Sequence, residues 1–137
     1  MVGIYEGSIL IEKFSSNKKT SDILPKIFEQ ILEKYDIKRA FFANGPGSFM
    51  AIKVSYIFLK TLSIIKGIEL FATDGFSFND NAPIKAIGKK YFIKENGKIE
   101  AKFIEVDESL IEFKLPKLLE SQKFTTNIEP LYILPAV

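Results

Sequence analysis

The sequence has 137 residues, 47% of them hydrophobic, which is the length and composition of a compact domain with a packed core. Nineteen basic and 17 acidic residues leave a formal charge of +2, too small by itself to indicate nucleic-acid binding. The chain has no cysteine and no histidine, so disulfides, thiolate nucleophiles, imidazole bases and most zinc sites are excluded.

The sequence carries no signal for a membrane or for export. Its longest apolar run is interrupted by Lys53, Lys60 and Lys66. That run therefore falls short of the roughly 18 to 20 residues that cross a bilayer. The N-terminus lacks a basic segment followed by an apolar one, which a signal peptide needs. These features predict a cytoplasmic protein with no membrane partner.

The chain opens with the pattern of a β-hairpin and a helix. Residues 2–5 and 9–11 are β-prone runs on either side of a glycine-containing turn. Residues 20–22 then offer capping side chains for a helix over residues 22–35, whose first turn tolerates Pro25. The apolar face of this helix is wider than one sheet covers, which predicts a further contact. It consists of Ile23, Leu24, Ile27, Phe28, Ile31, Leu32 and Tyr35.

The stretch from residue 38 to residue 66 predicts a strand, a glycine turn and a long helix. An apolar run at residues 40–43 ends at Asn44, and helical spacing begins at Ser48, whose hydroxyl is a candidate N-cap. The turn allows a sharp change of direction, because glycine has no side chain to clash and proline fixes one torsion angle. It consists of Gly45, Pro46, Gly47 and Ser48.

The helix over residues 48–66 is apolar on almost all sides. A helix with two apolar faces must be covered on both. We expect one face to lie on the sheet and the other to contact a second helix and a second protein. The predicted partner-binding side chains are Ile52, Tyr56 and Leu59 here, with Ile23, Leu24, Ile27, Phe28 and Ile31 on the preceding helix.

The remaining chain is predicted to be mostly β structure. Gly67 ends the long helix and residues 68–72 form a strand, and this alternation of strands and helices favours parallel pairing. The polar loop that follows marks a boundary between an α/β domain at residues 1–78 and a reduced β-rich part at residues 79–137. Predicted there are strands at 84–88, 91–94, 98–106 and 110–113, a hairpin turn at Asn96-Gly97, a short helix after Pro116 and an extended tail at 130–135.

Three groups of residues are candidates for chemistry, and each has a plainer structural interpretation. The glycine turn suits an anion, but no lysine follows it as in a phosphate-binding loop, so a structural turn is favoured. Four acidic residues have no spacing typical of a magnesium or acid–base site, and a lysine cluster fits RNA contact or a protected strand edge. The acidic residues are Asp74, Asp80, Asp107 and Glu108, and the cluster is Lys85, Lys89, Lys90, Lys94 and Lys98 with Tyr91 and Phe92.

Three segments resemble the TsaB family of bacterial tRNA-modification proteins, also called YeaZ. They are residues 20–25, the run Gly45-Pro46-Gly47-Ser48-Phe49 and residues 130–135, in matching order and separation. Family members begin with an apolar strand ending in Asp-Thr-Ser that has no counterpart here, so the resemblance implies a short form lacking the first strand. Met50-Ala51 also stands where the family has Thr-Gly, and Lys53 where it has arginine.

The resemblance implies an actin-like ATPase, ribonuclease-H-like fold, with a mixed sheet and flanking helices, and a subunit that is not itself the catalyst. In this family the first two helices form a bundle with the ATP-binding TsaD subunit or with a second TsaB copy. Together with TsaE, the complex transfers a threonylcarbamoyl group to the adenosine next to the anticodon. The implied function is a scaffold without cofactor or metal that activates TsaD and contacts tRNA at most indirectly.

Two other hypotheses share the same fold. A small nucleotide-binding or hydrolytic enzyme would bind ATP and magnesium by itself, which calorimetric titration detects. A homodimer would use the same two helices symmetrically. Because the same apolar faces suit either kind of association, the sequence leaves homodimer and heterodimer open.

Overall fold

The computed structural model describes residues 1–86, 88–107 and 111–132, and within them the protein is an α/β structure of two α-helices and three small sheets. The helices are α1 (Thr20–Lys34) and α2 (Phe49–Lys66). The strands are β1 (Val2–Glu6), β2 (Ile9–Phe14), β3 (Arg39–Ala43), β4 (Glu69–Thr73), β5 (Ile84–Lys85), β6 (Lys90–Glu95) and β7 (Lys98–Phe103). Short 3₁₀ helices lie at Gly75–Phe78 and Ser121–Lys123.

Strands β1 and β2 form the predicted antiparallel hairpin, which is confirmed. Gly7 turns the chain between them with a φ of 61°, a backbone conformation that costs glycine little. The register shifts between Ile4 and Tyr5, where β2 contains one extra residue. This bulge leaves Ile4 pointing into the core beneath α1.

Strands β3 and β4 form the predicted parallel pair, which is also confirmed, with Arg39 opposite Glu69 and Ala43 opposite Thr73. Parallel neighbours need a long crossover connection, and α2 supplies it. The succession of strand, helix and parallel strand that the alternating pattern predicts is therefore present in β3, α2 and β4.

The helix starts differ from the prediction in how they are capped. Lys19 occupies the N-cap of α1 and Ser48 that of α2, and neither side chain accepts an amide hydrogen bond. Asp22 lies inside the first turn of α1, where its negative charge interacts favourably with the positive end of the helix dipole. At the other end of α2, Gly67 adopts the left-handed conformation and its amide donates to the carbonyl of Ser63, as expected for a glycine stop.

Each helix covers its own sheet and also contacts the other helix. Helix α1 packs Ile27 and Ile31 against the hairpin, whereas α2 packs Leu59 against the β3–β4 pair. The rings of Phe28 and Phe58 meet edge to face at 5.2 Å between centroids, joining α1 to α2. The second contact that the wide apolar face of α1 requires is therefore partly supplied by α2.

Strands β5, β6 and β7 form a separate antiparallel sheet with β6 in the centre. Its core side chains are Phe76, Ile84 and Phe92. The predicted turn at Asn96-Gly97 is confirmed, with both residues at positive φ. The outer strands are shorter than predicted, since β5 ends at Lys85 and β7 at Phe103.

The chain after the third sheet returns to the first part of the protein. The amide of Leu10 donates to Lys117, Ala72 and Thr125 exchange two backbone bonds, and the amide of Leu131 donates to Asn44. Residues 111–113 are not a strand, and a 3₁₀ turn stands where a helix was predicted after Pro116. These edge contacts explain the difference, because an irregular segment satisfies its amides on strands already formed. Residues 87, 110 and 133–135 of the predicted elements lie outside the described part.

Helix α1 and the hairpin are joined at their ends by Glu12, whose carboxylate accepts hydrogen bonds from the Tyr35 hydroxyl and, at 3.0 Å, from the Lys34 ammonium. The bond from Tyr35, followed by that from Lys34, holds the pKa of Glu12 below its ordinary 4.5. The same contacts raise the pKa of Tyr35 and of Lys34.

A carboxyl with a lowered pKa in the folded protein stabilises it above its ordinary pKa, and this contribution disappears as the pH falls through the folded value. We therefore expect the stability of the wild type to fall more steeply than that of Glu12→Gln between about pH 5 and pH 3. Thermal unfolding at stepped pH measures this. Tyr35→Phe removes the first donor and is expected to fall between the two, whereas identical slopes for all three would contradict the role of Glu12.

Candidate functional site

Three of the eight predicted partner-binding side chains are buried inside this chain. Ile27, Ile31 and Leu59 are 8%, 1% and 6% exposed and belong to the cores beneath α1 and α2. The prediction that they contact a partner directly is therefore wrong, because a side chain packed in its own core has almost no surface left for a partner.

The other five predicted side chains are partly buried. Ile23 packs against the hairpin core, and Phe28 packs against the core beneath α2. Leu24, Ile52 and Tyr56 are intermediate in exposure. No large apolar side chain of helix α1 is exposed, so the apolar face of this helix packs mostly against other parts of the same molecule.

Helix α2 is different, because an apolar row faces away from the protein. Met50, Ile57 and Ile64 are 69%, 52% and 76% exposed. Spaced seven residues apart, they lie in one line along about 21 Å of helix. We call these three residues the exposed stripe. Phe49 and Ile65, 45% and 68% exposed, extend it at either end.

Sequence reasoning missed the exposed stripe because α2 is apolar on nearly every side. The available signal was the position of its lysines, since Lys53 and Lys60 mark the side of the helix that faces water. Residues on the same side as those lysines belong to the outer surface. Exposed apolar side chains gathered on one side of a helix are typical of an interaction site.

The glycine turn forms a junction between three distant parts of the chain. The amide of Gly75 donates to the carbonyl of Gly45 at 2.8 Å, and the side-chain amide of Asn44 donates to the carbonyl of Glu129 at 3.0 Å. Gly45 has a φ of 117°, and a Cβ there would lie 2.9 Å from the carbonyl oxygen of Leu131. Only glycine fits such a position, so these contacts give the turn a structural role.

An open cleft of about 440 Å³ lies between the glycine turn and the three-stranded sheet. Among the described residues, no group of three or more acidic side chains is placed to hold a metal ion. Apolar side chains dominate the cleft wall, which offers little to grip a phosphate. Its lining residues are Pro46, Gly47, Ser48, Ile84, Lys85, Tyr91, Ile111 and Phe113.

The acidic residues singled out in the sequence that lie in the described part of the chain belong to no group placed to hold a metal ion. Asp74 accepts a hydrogen bond from the amide of Phe76 at 3.0 Å and pairs with Lys94 at 2.5 Å, so it caps the 3₁₀ helix and ties it to β6. Asp80 lies exposed in the following turn. Glu108 lies outside the described residues.

The basic cluster does not present accessible aromatic rings. Tyr91 and Phe92 are 6% and 0% exposed, so their faces are not free to stack on bases. Lys98 pairs with a neighbouring carboxylate, and the ammonium of Lys90 lies 4.9 Å from the ring centre of Phe103. The two aromatic rings interleaved with the lysines therefore cannot form a surface on which RNA bases stack.

The chain has no match among protein-family models, and none among curated proteins. The resemblance to the TsaB family thus depends on the motif residues themselves. Within the described part of the chain, no helix combines the length and apolar character needed to cross a bilayer.

Proposed function

We propose that this protein is a non-catalytic scaffold subunit that binds a TsaD-type subunit through α2 and thereby supports threonylcarbamoyl transfer to tRNA. The single observation that carries the proposal is the exposed stripe of Met50, Ile57 and Ile64. Those side chains lie on α2, the second helix of the chain, which directly follows the glycine motif and is one of the helices that the resemblance assigns to partner docking. A cytoplasmic location and the participation of TsaE belong to the same proposal.

The proposed fold is the actin-like ATPase, ribonuclease-H-like arrangement. The order of a hairpin followed by α1, β3, α2 and β4, with β3 and β4 parallel, supports it. Two of the three segments that resemble the family also meet in space, since Leu131 bonds to Asn44 beside the glycine turn.

Burial of the exposed stripe would supply part of the free energy that docking needs. Complete burial of an isoleucine or methionine side chain contributes about 1.5 to 3 kcal/mol. Because the three side chains are already partly buried, the exposed stripe offers about 3 to 6 kcal/mol. Association costs about 4 to 15 kcal/mol in lost translational and rotational freedom. Additional contacts from Phe49, Ile65 or the neighbouring lysines are therefore needed for stable binding.

Replacing Ile57 by aspartate is expected to weaken binding to a TsaD-type subunit at least about 30-fold, because it removes apolar burial and places an unpaired charge in the interface. Calorimetric titration of the full chain with the purified TsaD-type subunit of the same organism measures this. Ile9→Asp is the matched control, since Ile9 is 60% exposed but lies on the hairpin. Equal affinities for wild type and Ile57→Asp would refute docking through α2.

The open cleft beside the glycine turn is the one feature in favour of a nucleotide-binding enzyme, and its mostly apolar wall counts against it. Titration of the isolated chain with ATP and magnesium separates the two functions. Saturable binding that is lost in a Gly47→Trp variant would support the enzyme. The scaffold proposal expects no heat of binding from the chain alone.

A further inference from the structure

The exposed stripe is bordered by positive charge on one side only. Taking 100° per residue, Lys53 and Lys60 lie about 50° around the helix from the line of the stripe. The opposite border carries Thr61 and Ile65. All four residues are exposed, so a molecule that covers the stripe meets two lysines along one edge and uncharged side chains along the other.

Within residues 1–86, 88–107 and 111–132, these lysines have no internal counter-charge. Helix α2 contains no aspartate or glutamate at any position. Among the described residues, Lys53 and Lys60 also form no ion pair with any other element. A partner without carboxylates would partly desolvate both ammonium groups and offer nothing in return.

A second copy of the chain is a poor match for this surface. In a twofold antiparallel pairing of α2 with α2, the symmetry axis leaves the lysine edges of both copies on the same side of the interface. Four ammonium groups would then face each other without a carboxylate from either helix. Such like-charge contacts oppose association.

We propose that α2 binds an amphipathic helix whose apolar face carries carboxylates along one edge, opposite Lys53 and Lys60. A helix fits because the stripe is straight and about four helical turns long, which suits side-by-side packing at 8–10 Å between axes. This inference builds on the proposed function and specifies the chemistry of the partner surface. The carboxylate edge would give orientation, since reversing the helix moves its charges away from the lysines.

Two designed peptides test the inference with the full chain. Both have about three heptads with leucine at positions a and d, and they differ in carrying either glutamate or lysine at g. We expect the glutamate peptide to bind the wild type at least about 10-fold more tightly than the lysine peptide in dilute salt, and the difference to shrink at about 0.5 M salt. In Lys53→Glu/Lys60→Glu the preference is expected to reverse.

The reversal separates charge recognition from loss of folding, because a misfolded variant would bind neither peptide. Lys53→Gln/Lys60→Gln provides a second check and should reduce the preference without reversing it. The inference is overturned if both peptides bind the wild type equally, if neither binds, or if the reversed-charge variant keeps the original preference.

Four further outcomes are distinguishable. If the TsaD-type subunit binds wild type and the Lys53→Glu/Lys60→Glu variant equally but not Ile57→Asp, the scaffold proposal stands and the acidic-edge inference fails. If the peptide preference reverses but no TsaD-type subunit binds, the inference stands and the proposed function fails. Sedimentation of the chain with phosphatidylcholine–phosphatidylserine vesicles, or a dimer abolished by Ile57→Asp, would assign the surface to a membrane or to a second copy instead.

Discussion

Replacing Phe92 by alanine is expected to lower the free energy of unfolding by about 3 to 5 kcal/mol. Phe92 lies at the centre of β6, is 0% exposed, and packs against Phe76 and Ile84. The substitution removes a large buried ring and leaves a cavity that the short neighbouring strands cannot close. Against a typical stability of about 5 to 15 kcal/mol, such a loss brings the domain close to unfolding.

Urea denaturation followed by far-ultraviolet circular dichroism measures the effect. Phe103→Ala is the matched control on the same sheet, because Phe103 is 73% exposed and contacts the ammonium of Lys90. We expect the control to lose no more than about 1 kcal/mol, the strength of an exposed cation–π contact. Equal losses for the two variants would mean that the third sheet does not depend on Phe92 for its core.

Replacing Ile31 by alanine is expected to cost about 2 to 5 kcal/mol of unfolding free energy, because Ile31 is 1% exposed between α1 and the hairpin. This residue belongs to the apolar face that the sequence assigned to a partner. The structure makes it a core residue, so its truncation should change stability and leave the affinity of the folded protein for its partner unaltered.

Ile64→Ala provides the reciprocal comparison on α2. With Ile64 76% exposed, its truncation should change stability by no more than about 0.5 kcal/mol while weakening partner binding. Chemical denaturation measures the stability of both variants, and calorimetric titration measures their affinity for the partner. If Ile31→Ala weakened binding while leaving the unfolding transition unchanged, the division between core and docking residues would be wrong.

The elements near the start of the chain follow directly from local pattern. The alternating apolar residues around Gly7, the wide apolar face of α1 and the glycine stop at Gly67 each contain their own signal within a few residues. The parallel pairing of β3 with β4 also follows, because a strand, helix and strand in succession allow few other arrangements. For these elements, local propensity and the final fold agree.

The last part of the chain lacks such signals. Residues 111–132 contain apolar side chains without a helical or alternating period, and amides in this segment donate to the carbonyls of Ser8, Ala72 and Asn44, far away in the sequence. No local pattern specifies a partner at that separation. The expected capping by Ser48 failed for a related reason, since capping depends on the side-chain orientation that the folded turn imposes.

The sequence by itself determined that α2 is too apolar for one sheet to cover, and that cysteine and histidine chemistry is absent. Only the tertiary structure decided which side of α2 remains exposed to solvent. Leu59 turned inward, whereas Met50, Ile57 and Ile64 turned outward beside the lysines. The physical reason is that a helix with apolar residues all round has no preferred inner face of its own. The packing of α2 on the β3–β4 pair and against α1 selects that face.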